Sequence, residues 1–218
     1  MIASIMIEAY TALTPNGRKL AIMLEETGLA YEARLLDIAK GEPHAAWFRR
    51  LNPNGKIPVI RDTDTGRVVW ESGPTLIYLA EKAGRLLPAD PAARLDVLQW
   101  LFFQAGSLGP MSGQFNHFRL REGEPHALAR YRSEVLRLLG VLDGALQERT
   151  YIGGAYSIAD IALLPWIRAV QKWGLALDDF THLERWYAHL TERPVVRRGF
   201  EVPTSSRPRE TPTSRAQA

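Results

Sequence analysis

The first 85 residues alternate between two hydrophobic patterns, one typical of strands and one typical of amphipathic helices. Short apolar runs lie between stretches in which apolar residues recur every three or four positions. The predicted strands are residues 4–10, 31–38, 56–62 and 67–72, and the predicted helices are residues 15–27, 45–51 and 72–84. Residues 63–66, TDTG, suit a tight hairpin between the last two strands. The predicted order of elements is therefore β-α-β-α-β-β-α.

Within these elements, the pattern predicts which faces are buried. The first helix places four residues on one face: Leu20, Met23, Leu24 and Thr27. The second strand places three residues on one side: Tyr31, Ala33 and Leu35. Gly84 follows the last of these helices and is expected to stop it, because glycine readily adopts the left-handed conformation of a helix C terminus.

The remainder of the chain is predicted to be helical. Residues 85–93 carry Pro88 and Pro91 and indicate a linker. Residues 129–149 then contain an apolar stripe typical of a helix-bundle core: Tyr131, Val135, Leu138, Leu139, Leu142 and Leu146. From Pro203 onward apolar residues are almost absent, and we expect a disordered tail over residues 203–218. The fold class is thus α/β plus all-α, with a domain that resembles thioredoxin over residues 1–85 and an α-helical bundle domain over residues 86–202.

Composition narrows the possible chemistry. The 218 residues include no cysteine, which excludes a protein-borne thiol nucleophile, disulfide bonds and thiolate metal sites. The five histidines show no metal-ligand spacing, so no metal is expected. The net charge of +3 is spread along the chain without a basic block, which argues against a nucleic-acid partner. No apolar stretch has the length of a membrane span and no basic segment precedes the first apolar run, so we expect no membrane partner and a cytoplasmic location.

The tripeptide Thr14-Pro15-Asn16 stands where the first helix should begin. Threonine is a good N-cap and proline is favoured at the first helical position, so a helix start alone would explain both residues. A helix N terminus also presents N–H donors and the positive end of the helix dipole, which favour an anion, and Asn16 adds an amide donor. Such a site could lower the pKa of a thiol. Because the chain has no cysteine, that sulfur would have to belong to a ligand.

Two further stretches could contact the same ligand. The proline of Ile57-Pro58 marks either a strand start or edge, or a cis bond that turns the Ile57 backbone toward a peptide-like ligand. Glu71 and Ser72 lie at a predicted strand-to-helix junction, where Ser72 is a natural N-cap. The same junction could hold a ligand carboxylate, with Glu71 beside it for an ammonium group.

Six motifs occur in order along nearly the whole chain: TPNGRK from Thr14, NPNGKIP, ESGPTLIYLAEK, LQWLFFQAGSLGPMSGQFNHF, ARYRSE and YSIADIALLPW. With them the sequence resembles the glutathione transferases, and more narrowly the bacterial Nu-class members of disulfide-bond oxidoreductase type. The resemblance implies that glutathione is a substrate or co-substrate and that its thiol lies near Thr14 and Asn16, which would be the catalytic residues. It also implies that no catalytic tyrosine, serine or cysteine takes part.

The same resemblance implies further glutathione contacts. The Ile57 backbone would pair with the cysteinyl moiety, with Lys56 alongside, while Glu71 and Ser72 would hold the γ-glutamyl end. Arg130, in the RY pair of ARYRSE, would approach a second glutathione, whereas a solvated helix charge is its simpler interpretation.

Other residues are assigned to structure or left open. Ser157 and Asp160 form a pair typical of a capping box, with a role in folding. Tyr10 is interpreted as packing. Pro43 stands in a loop where relatives often carry a glutamine, and it offers no side-chain donor. Three residues could belong to a pocket wall or an interface: Gln114, Asn116 and His117.

We therefore expect a cytoplasmic homodimer that reduces small disulfides with bound glutathione thiolate. Conjugation of glutathione to an electrophile is the alternative among enzymes, since it needs the same thiolate but an apolar acceptor pocket. A non-catalytic regulatory or interaction protein with a transferase-like fold is the alternative outside enzymes. Retention of the TPN, KIP and ES motifs favours an enzyme.

Overall fold

A computed structural model describes residues 6–202 of the chain. Contacts between residues divide the chain into two compact units. One unit runs to Ala83 and resumes at Val195, and the other is Gly84–Pro194. The domain boundaries 1–85 and 86–202 stay predictions, and the tail predicted for residues 203–218 lies outside the described residues, as does the start of the strand predicted at residues 4–10.

A four-stranded sheet organises the first unit. Its strands are β1 (Ile7–Thr11), β2 (Tyr31–Leu35), β3 (Val59–Asp62) and β4 (Val68–Trp70), in the spatial order β2-β1-β3-β4. β1 is parallel to β2 and antiparallel to β3, which is antiparallel to β4. The helices are α1 (Pro15–Thr27), α2 (Ala46–Arg49) and α3 (Ser72–Ala83), with a 3₁₀ turn at Glu42–His44. The order of elements confirms the predicted thioredoxin-like class.

The helix α1 has the predicted bounds and begins at the predicted N-cap, Thr14. The Thr14 backbone is extended (φ −114°, ψ 164°), and its Oγ1 accepts a hydrogen bond from the Gly17 N–H at 3.2 Å. At the other end, Gly28 has φ 68° and caps the helix in the left-handed conformation. On the predicted face Thr27 is half-buried and the apolar residues are buried, and burial extends further around the helix to Lys19 and Ile22.

The predicted burial of the second strand is wrong at Leu35. Its side chain is 49% exposed, because β2 ends at this residue. The next residue, Leu36, donates its N–H to the Thr11 carbonyl oxygen at 2.8 Å. Leu36 takes the buried position in place of Leu35 and joins a core cluster: Tyr10, Leu36, Phe48 and Val59.

The helix α9 (Pro194–Glu201) returns to the first unit from Val195 onward. A Cβ atom on Gly199 would lie 2.6 Å from the Ile22 Cα, so only glycine allows this close approach of α9 to α1. The Arg198 Nε pairs with Glu25 Oε2 at 3.0 Å. The hydrophobic pattern of the sequence did not indicate this return.

The second unit is helical throughout its main elements, as predicted. Its helices are α4 (Pro91–Phe103), α5 (Gly109–Arg119), α6 (Pro125–Ala145), α7 (Ile158–Lys172) and α8 (Thr181–Glu192), with a π-helical turn at Gln104–Leu108. In the predicted stripe, Tyr131 is half-buried and stacks on Phe118, and the remaining members are buried. Within residues 6–202, none of the helices combines the length and the apolar character of a membrane span.

Ser157 and Asp160 form the predicted capping box at the start of α7. The Asp160 Oδ2 accepts from the Ser157 N–H at 3.0 Å, and its Oδ1 accepts from the Ile152 N–H at 3.0 Å. The indole Nε1 of Trp186 on α8 also donates to Asp160 Oδ1, at 2.9 Å. The buried carboxylate therefore joins three parts of the second unit, which confirms its role in structure.

Candidate active site

One edge of the sheet gathers the segments that the sequence singled out. Val59, at the start of β3, lies opposite Tyr10 of β1 and opposite Trp70 of β4. The chain segments that follow β1, precede β3 and follow β4 therefore meet at this edge: Thr14-Pro15-Asn16, Ile57-Pro58 and Glu71-Ser72.

The N terminus of α1 supplies hydrogen-bond donors at this edge. Thr14 and Asn16 are both half-buried. The Thr14 Oγ1 accepts the capping bond, which leaves its hydroxyl proton able to donate. A Cβ atom on Gly17 would lie 2.0 Å from the Ala12 carbonyl oxygen, so glycine lets the first turn pack closely against the preceding loop. The Thr14 hydroxyl, the Asn16 amide and the positive end of the α1 dipole can together stabilise an anion.

The Ile57-Pro58 bond is cis, as predicted. Ile57 is half-buried and packs against the core cluster of Tyr10 and its neighbours. Lys56 is exposed, and its carbonyl oxygen accepts from the buried Asn52 side-chain amide at 2.6 Å. The backbone before Pro58 is thus held by packing and by a buried amide.

The junction between β4 and α3 has an unusual backbone. Glu71 has φ 70°, a left-handed conformation that is uncommon for a residue other than glycine and often found at binding sites. The Asn54 side-chain amide donates to Glu71 Oε1 at 3.3 Å, and the Glu71 carbonyl oxygen accepts from the Thr75 N–H at 3.0 Å. Ser72 is the first residue of α3 instead of its N-cap, which corrects the expected cap, because the first helical bond goes to Glu71.

Lys19 was missed by the sequence analysis. Its side chain is 1% exposed, and its Nζ donates to Ser72 Oγ at 3.1 Å, joining α1 to α3. Burial lowers the pKa of Lys19 to about 7, while the negative charge of Glu71 opposes that shift. The sequence signal for this residue was its place in TPNGRK, since lysine is otherwise expected on a solvated helix face.

Asn54 was also missed, although it lies in the motif NPNGKIP. The Asn52 Oδ1 accepts from the Asn54 N–H at 2.9 Å, so the buried Asn52 fixes the backbone from which Asn54 reaches Glu71. Its contact with Glu71 joins residues far apart in the sequence. Spacing along the chain could not reveal that contact.

Arg130 belongs to the second unit, where it is exposed on α6. It lines a cavity of about 520 Å³ with five other residues: Met111, His126, Tyr131, Ser133 and Glu134. Arg137, and to a smaller extent Arg130, lowers the pKa of the Glu134 carboxyl. The cavity therefore offers a guanidinium group next to an aromatic ring and polar side chains.

Tyr10 is 5% exposed and packs against Trp47 and Phe48. Its hydroxyl donates to Glu8 Oε2 at 3.1 Å. Burial, together with the negative charge of Glu8, raises the pKa of Tyr10. This confirms the interpretation of Tyr10 as packing, since the phenol is kept protonated and engaged.

The residues left open by the sequence make local contacts. On α5, Asn116 Oδ1 accepts from Arg119 Nε at 2.8 Å, and the His117 ring lies edge-on to Phe118. Gln114 is exposed. Pro43 is buried in the 3₁₀ turn, where its ring supplies no donor.

Within residues 6–202, no three His, Cys, Asp or Glu side chains are grouped as the ligands of a metal ion.

Comparisons with known proteins identify the class to which this fold and edge belong. The chain matches the family models for the glutathione S-transferase N-terminal domain over residues 14–82 and for the C-terminal domain over residues 98–194. It is 41% identical over 199 residues to the disulfide-bond oxidoreductase YfcG of Escherichia coli (strain K12), covering 88% of this chain and 93% of that protein. The chain belongs to the glutathione S-transferase family.

Solved structures with similar folds contain glutathione in two forms. A glutathione transferase from Pseudomonas putida, with one glutathione disulfide bound per subunit, is 41% identical and superposes with a TM-score of 0.88, covering 93% of this chain and 94% of that one. A homologue from Lodderomyces elongisporus, with two glutathione molecules per subunit, is 37% identical with a TM-score of 0.86, covering 90% of this chain and 98% of that one.

Proposed function

We propose that this protein is a Nu-class transferase that binds glutathione and uses its thiolate to reduce small disulfides. The observation that carries the proposal is the meeting of the α1 N terminus, the Ile57 backbone and the Glu71-Ser72 junction at one sheet edge. They offer donors for an anion, a backbone for peptide pairing and polar groups for an amino-acid end. The disulfide-bond oxidoreductase name of YfcG and the glutathione disulfide bound by the Pseudomonas putida transferase support reduction over conjugation.

Thr14 and Asn16 are the proposed catalytic residues. The glutathione sulfur would lie at the start of α1, where the Thr14 hydroxyl and the Asn16 amide can donate to it. Hydrogen bonds to a thiolate and the positive end of a helix dipole both lower the pKa of the thiol. A larger fraction of the sulfur is then thiolate at neutral pH, which is the form that attacks a disulfide.

The remaining proposed contacts are with the cysteinyl backbone and the γ-glutamyl end of the tripeptide. The Ile57 backbone would pair with the cysteinyl residue in the manner of an added strand, with the exposed Lys56 alongside. The N terminus of α3 and the Ser72 hydroxyl would receive the γ-glutamyl carboxylate. The exposed Glu71 carboxylate would pair with the γ-glutamyl ammonium group.

The reaction needs two glutathione molecules for each disulfide. The bound thiolate attacks one sulfur of the substrate, forms a mixed disulfide and releases the first substrate thiolate. A second glutathione thiolate attacks the glutathione sulfur of that mixed disulfide, which yields glutathione disulfide and releases the second substrate thiolate. The substrate gains two electrons, two glutathiones lose them, and each released thiolate takes a proton. Arg130, beside its cavity, is the proposed contact for a carboxylate of the second glutathione.

Two assays and a binding measurement test this function. We expect the protein to bind to immobilised glutathione and to reduce 2-hydroxyethyl disulfide with glutathione, followed through glutathione reductase and NADPH. We expect much slower conjugation of chlorodinitrobenzene, because that reaction needs an apolar acceptor pocket. Faster conjugation than reduction would indicate the transferase activity instead, and neither binding nor turnover would indicate a non-catalytic protein.

We propose that the protein forms a homodimer in the cytoplasm, where the glutathione pool keeps thiols reduced. In support, α4 exposes Leu95 (59%) and Phe102 (67%), seven residues apart and so on one face of the helix. Light scattering at micromolar concentration should give about twice the 24.5 kDa mass of the chain. Phe102→Lys should shift the protein toward the monomer, and an unchanged mass would exclude this face from the interface.

A further inference from the structure

A lysine ammonium group is strongly hydrated, and its complete burial needs an explanation. Lys19 is buried in the first unit between α1 and the start of α3, with its Nζ 3.1 Å from Ser72 Oγ. Ser72 is one of the residues proposed to receive the γ-glutamyl carboxylate. Lys19 therefore contacts Ser72 from the protein interior, on the side opposite the proposed carboxylate.

Charged side chains on α3 and α9, two helices that approach α1, are engaged in ion pairs. On α3, Lys82 pairs with Asp62 and Asp64. On α9, Arg198 pairs with Glu25 of α1.

Charged side chains on β1 and on α1 also have partners. On β1, Glu8 pairs with Arg61, and on α1 itself Arg18 donates to the Val202 carbonyl oxygen. The buried Glu26 lies seven residues beyond Lys19. The negative charge of Glu71 acts on Lys19, against a burial that brings the lysine pKa to about 7.

We propose that Lys19 is a positioning residue for the γ-glutamyl carboxylate of glutathione, and that carboxylate binding at Ser72 is coupled to the uptake of one proton by the Lys19 amine. This inference rests on the proposed function, because it assumes that glutathione occupies the edge of the sheet.

Two physical steps connect the contact to this role. A Lys19 N–H that donates to Ser72 Oγ occupies an acceptor position of that oxygen and leaves the Ser72 hydroxyl proton to donate outward to a carboxylate. A carboxylate at that position adds a negative charge to that of Glu71, which favours the ammonium form of Lys19. The neutral amine therefore takes a proton from solvent when the ligand binds, and releases it when the ligand leaves.

The coupling predicts the direction in which the binding affinity changes with pH. Below a pH of about 7 the ammonium form already predominates, so proton uptake adds nothing. Above that pH, binding must be accompanied by protonation, and the affinity falls by up to about tenfold per pH unit until the lysine pKa of the complex is reached. A ligand without the α-carboxylate should lack this dependence.

Titration calorimetry of the full chain with S-methylglutathione tests the coupling, since this probe has no titrating thiol. Binding heats in phosphate and in Tris at one slightly alkaline pH give the number of protons taken up. The matched probe is the same compound with a 4-aminobutanoyl group in place of γ-glutamyl, which keeps the ammonium group and lacks the α-carboxylate. We expect fractional proton uptake with the first probe and none with the second. Equal uptake with both probes would overturn the inference.

Three variants complete the experiment. Lys19→Met should abolish the proton uptake and weaken S-methylglutathione binding about tenfold, with little effect on the probe that lacks the carboxylate. Lys19→Arg should restore affinity without uptake, because guanidinium does not titrate in this range. Lys172→Met, at an exposed position of the second unit, should match the wild type.

If the Lys19 variants fail to fold, the comparison of the two probes on the wild-type protein still decides the question. Wild-type binding of both probes with no proton uptake contradicts the role of Lys19 and leaves the proposed function standing. Failure of the wild type to bind glutathione and S-methylglutathione contradicts the proposed function itself.

Discussion

Asp160→Ala is expected to lower the free energy of unfolding by about 4 kcal/mol. The Asp160 side chain is fully buried and accepts from the Ser157 N–H, the Ile152 N–H and the Trp186 indole. Alanine leaves these three donors, and the Ser157 hydroxyl that donates to Asp160 Oδ2 at 3.2 Å, without their acceptor. Each buried donor left unsatisfied costs roughly 1–3 kcal/mol before the site relaxes. Urea denaturation followed by far-ultraviolet circular dichroism measures the change.

The companion variant Asp160→Asn separates hydrogen bonding from charge. Its amide oxygen can keep the bonds from Trp186 and Ile152, while its NH₂ group faces the Ser157 N–H donor, so a loss of about 2 kcal/mol is expected. Burial raises the pKa of Asp160, which means that the ionised carboxylate carries a penalty that the neutral amide avoids. Glu148→Ala, at an exposed position, should change stability by less than about 0.5 kcal/mol. A loss below about 1 kcal/mol in Asp160→Ala would show that the network does not hold the unit together.

The capping box shows which kind of structure a sequence can predict. Ser157 and Asp160 are three residues apart, and a pair at that spacing interacts whenever a helix begins there. The bond from Trp186 to the same carboxylate joins two helices, and nothing in the local pattern of either helix indicates it. The stabilising role was therefore predicted from local spacing, while its size depends on a contact between distant residues.

Buried positions could likewise be predicted where they depend on one helix, and not where they depend on contacts between distant segments. Periodicity predicted the buried face of α1 and the stripe of α6, because both patterns are properties of one helix. It was wrong at Leu35, since the end of β2 is set by the pairing with β1, and it gave no sign that Gly199 brings α9 against Ile22. Pairing partners and close approaches of distant segments are absent from any local pattern.

The candidate site combines both kinds of information. Motifs and the resemblance selected Thr14, Ile57 and Glu71, and the sheet register brings the segments that carry them to one edge. The sequence did not indicate Lys19 and Asn54, because their roles depend on contacts with Ser72 and Glu71, which are distant in the sequence. The roles proposed for the site residues, Arg130 included, stay predictions, and measurement of the variants is their test.

Asn16→Ala is expected to reduce the rate of glutathione-dependent disulfide reduction about ten- to a hundredfold. The substitution removes the side-chain amide and leaves the N–H groups and dipole of α1 in place. A hydrogen bond to a charged group contributes roughly 1.5–3 kcal/mol, and its loss raises the pKa of the glutathione thiol. The rate with 2-hydroxyethyl disulfide, measured as a function of pH, should therefore shift to higher pH in the variant.

The sign of that shift distinguishes a thiolate site from a helix start. At a pH above the thiol pKa of both proteins, the ligand is thiolate in either case, so the rate difference between wild type and Asn16→Ala should shrink as pH rises. Glutathione affinity should stay close to that of the wild type, because the contacts proposed for Ile57, Glu71 and Ser72 would still bind the rest of the tripeptide. Thr14→Ala should slow the reaction and also cost about 1 kcal/mol of stability, since it removes the cap that accepts from Gly17, whereas Thr14→Ser should preserve both. Unchanged rates and pH profiles in Asn16→Ala and Thr14→Ala would mean that these residues only start α1, and that the sulfur is activated by another group.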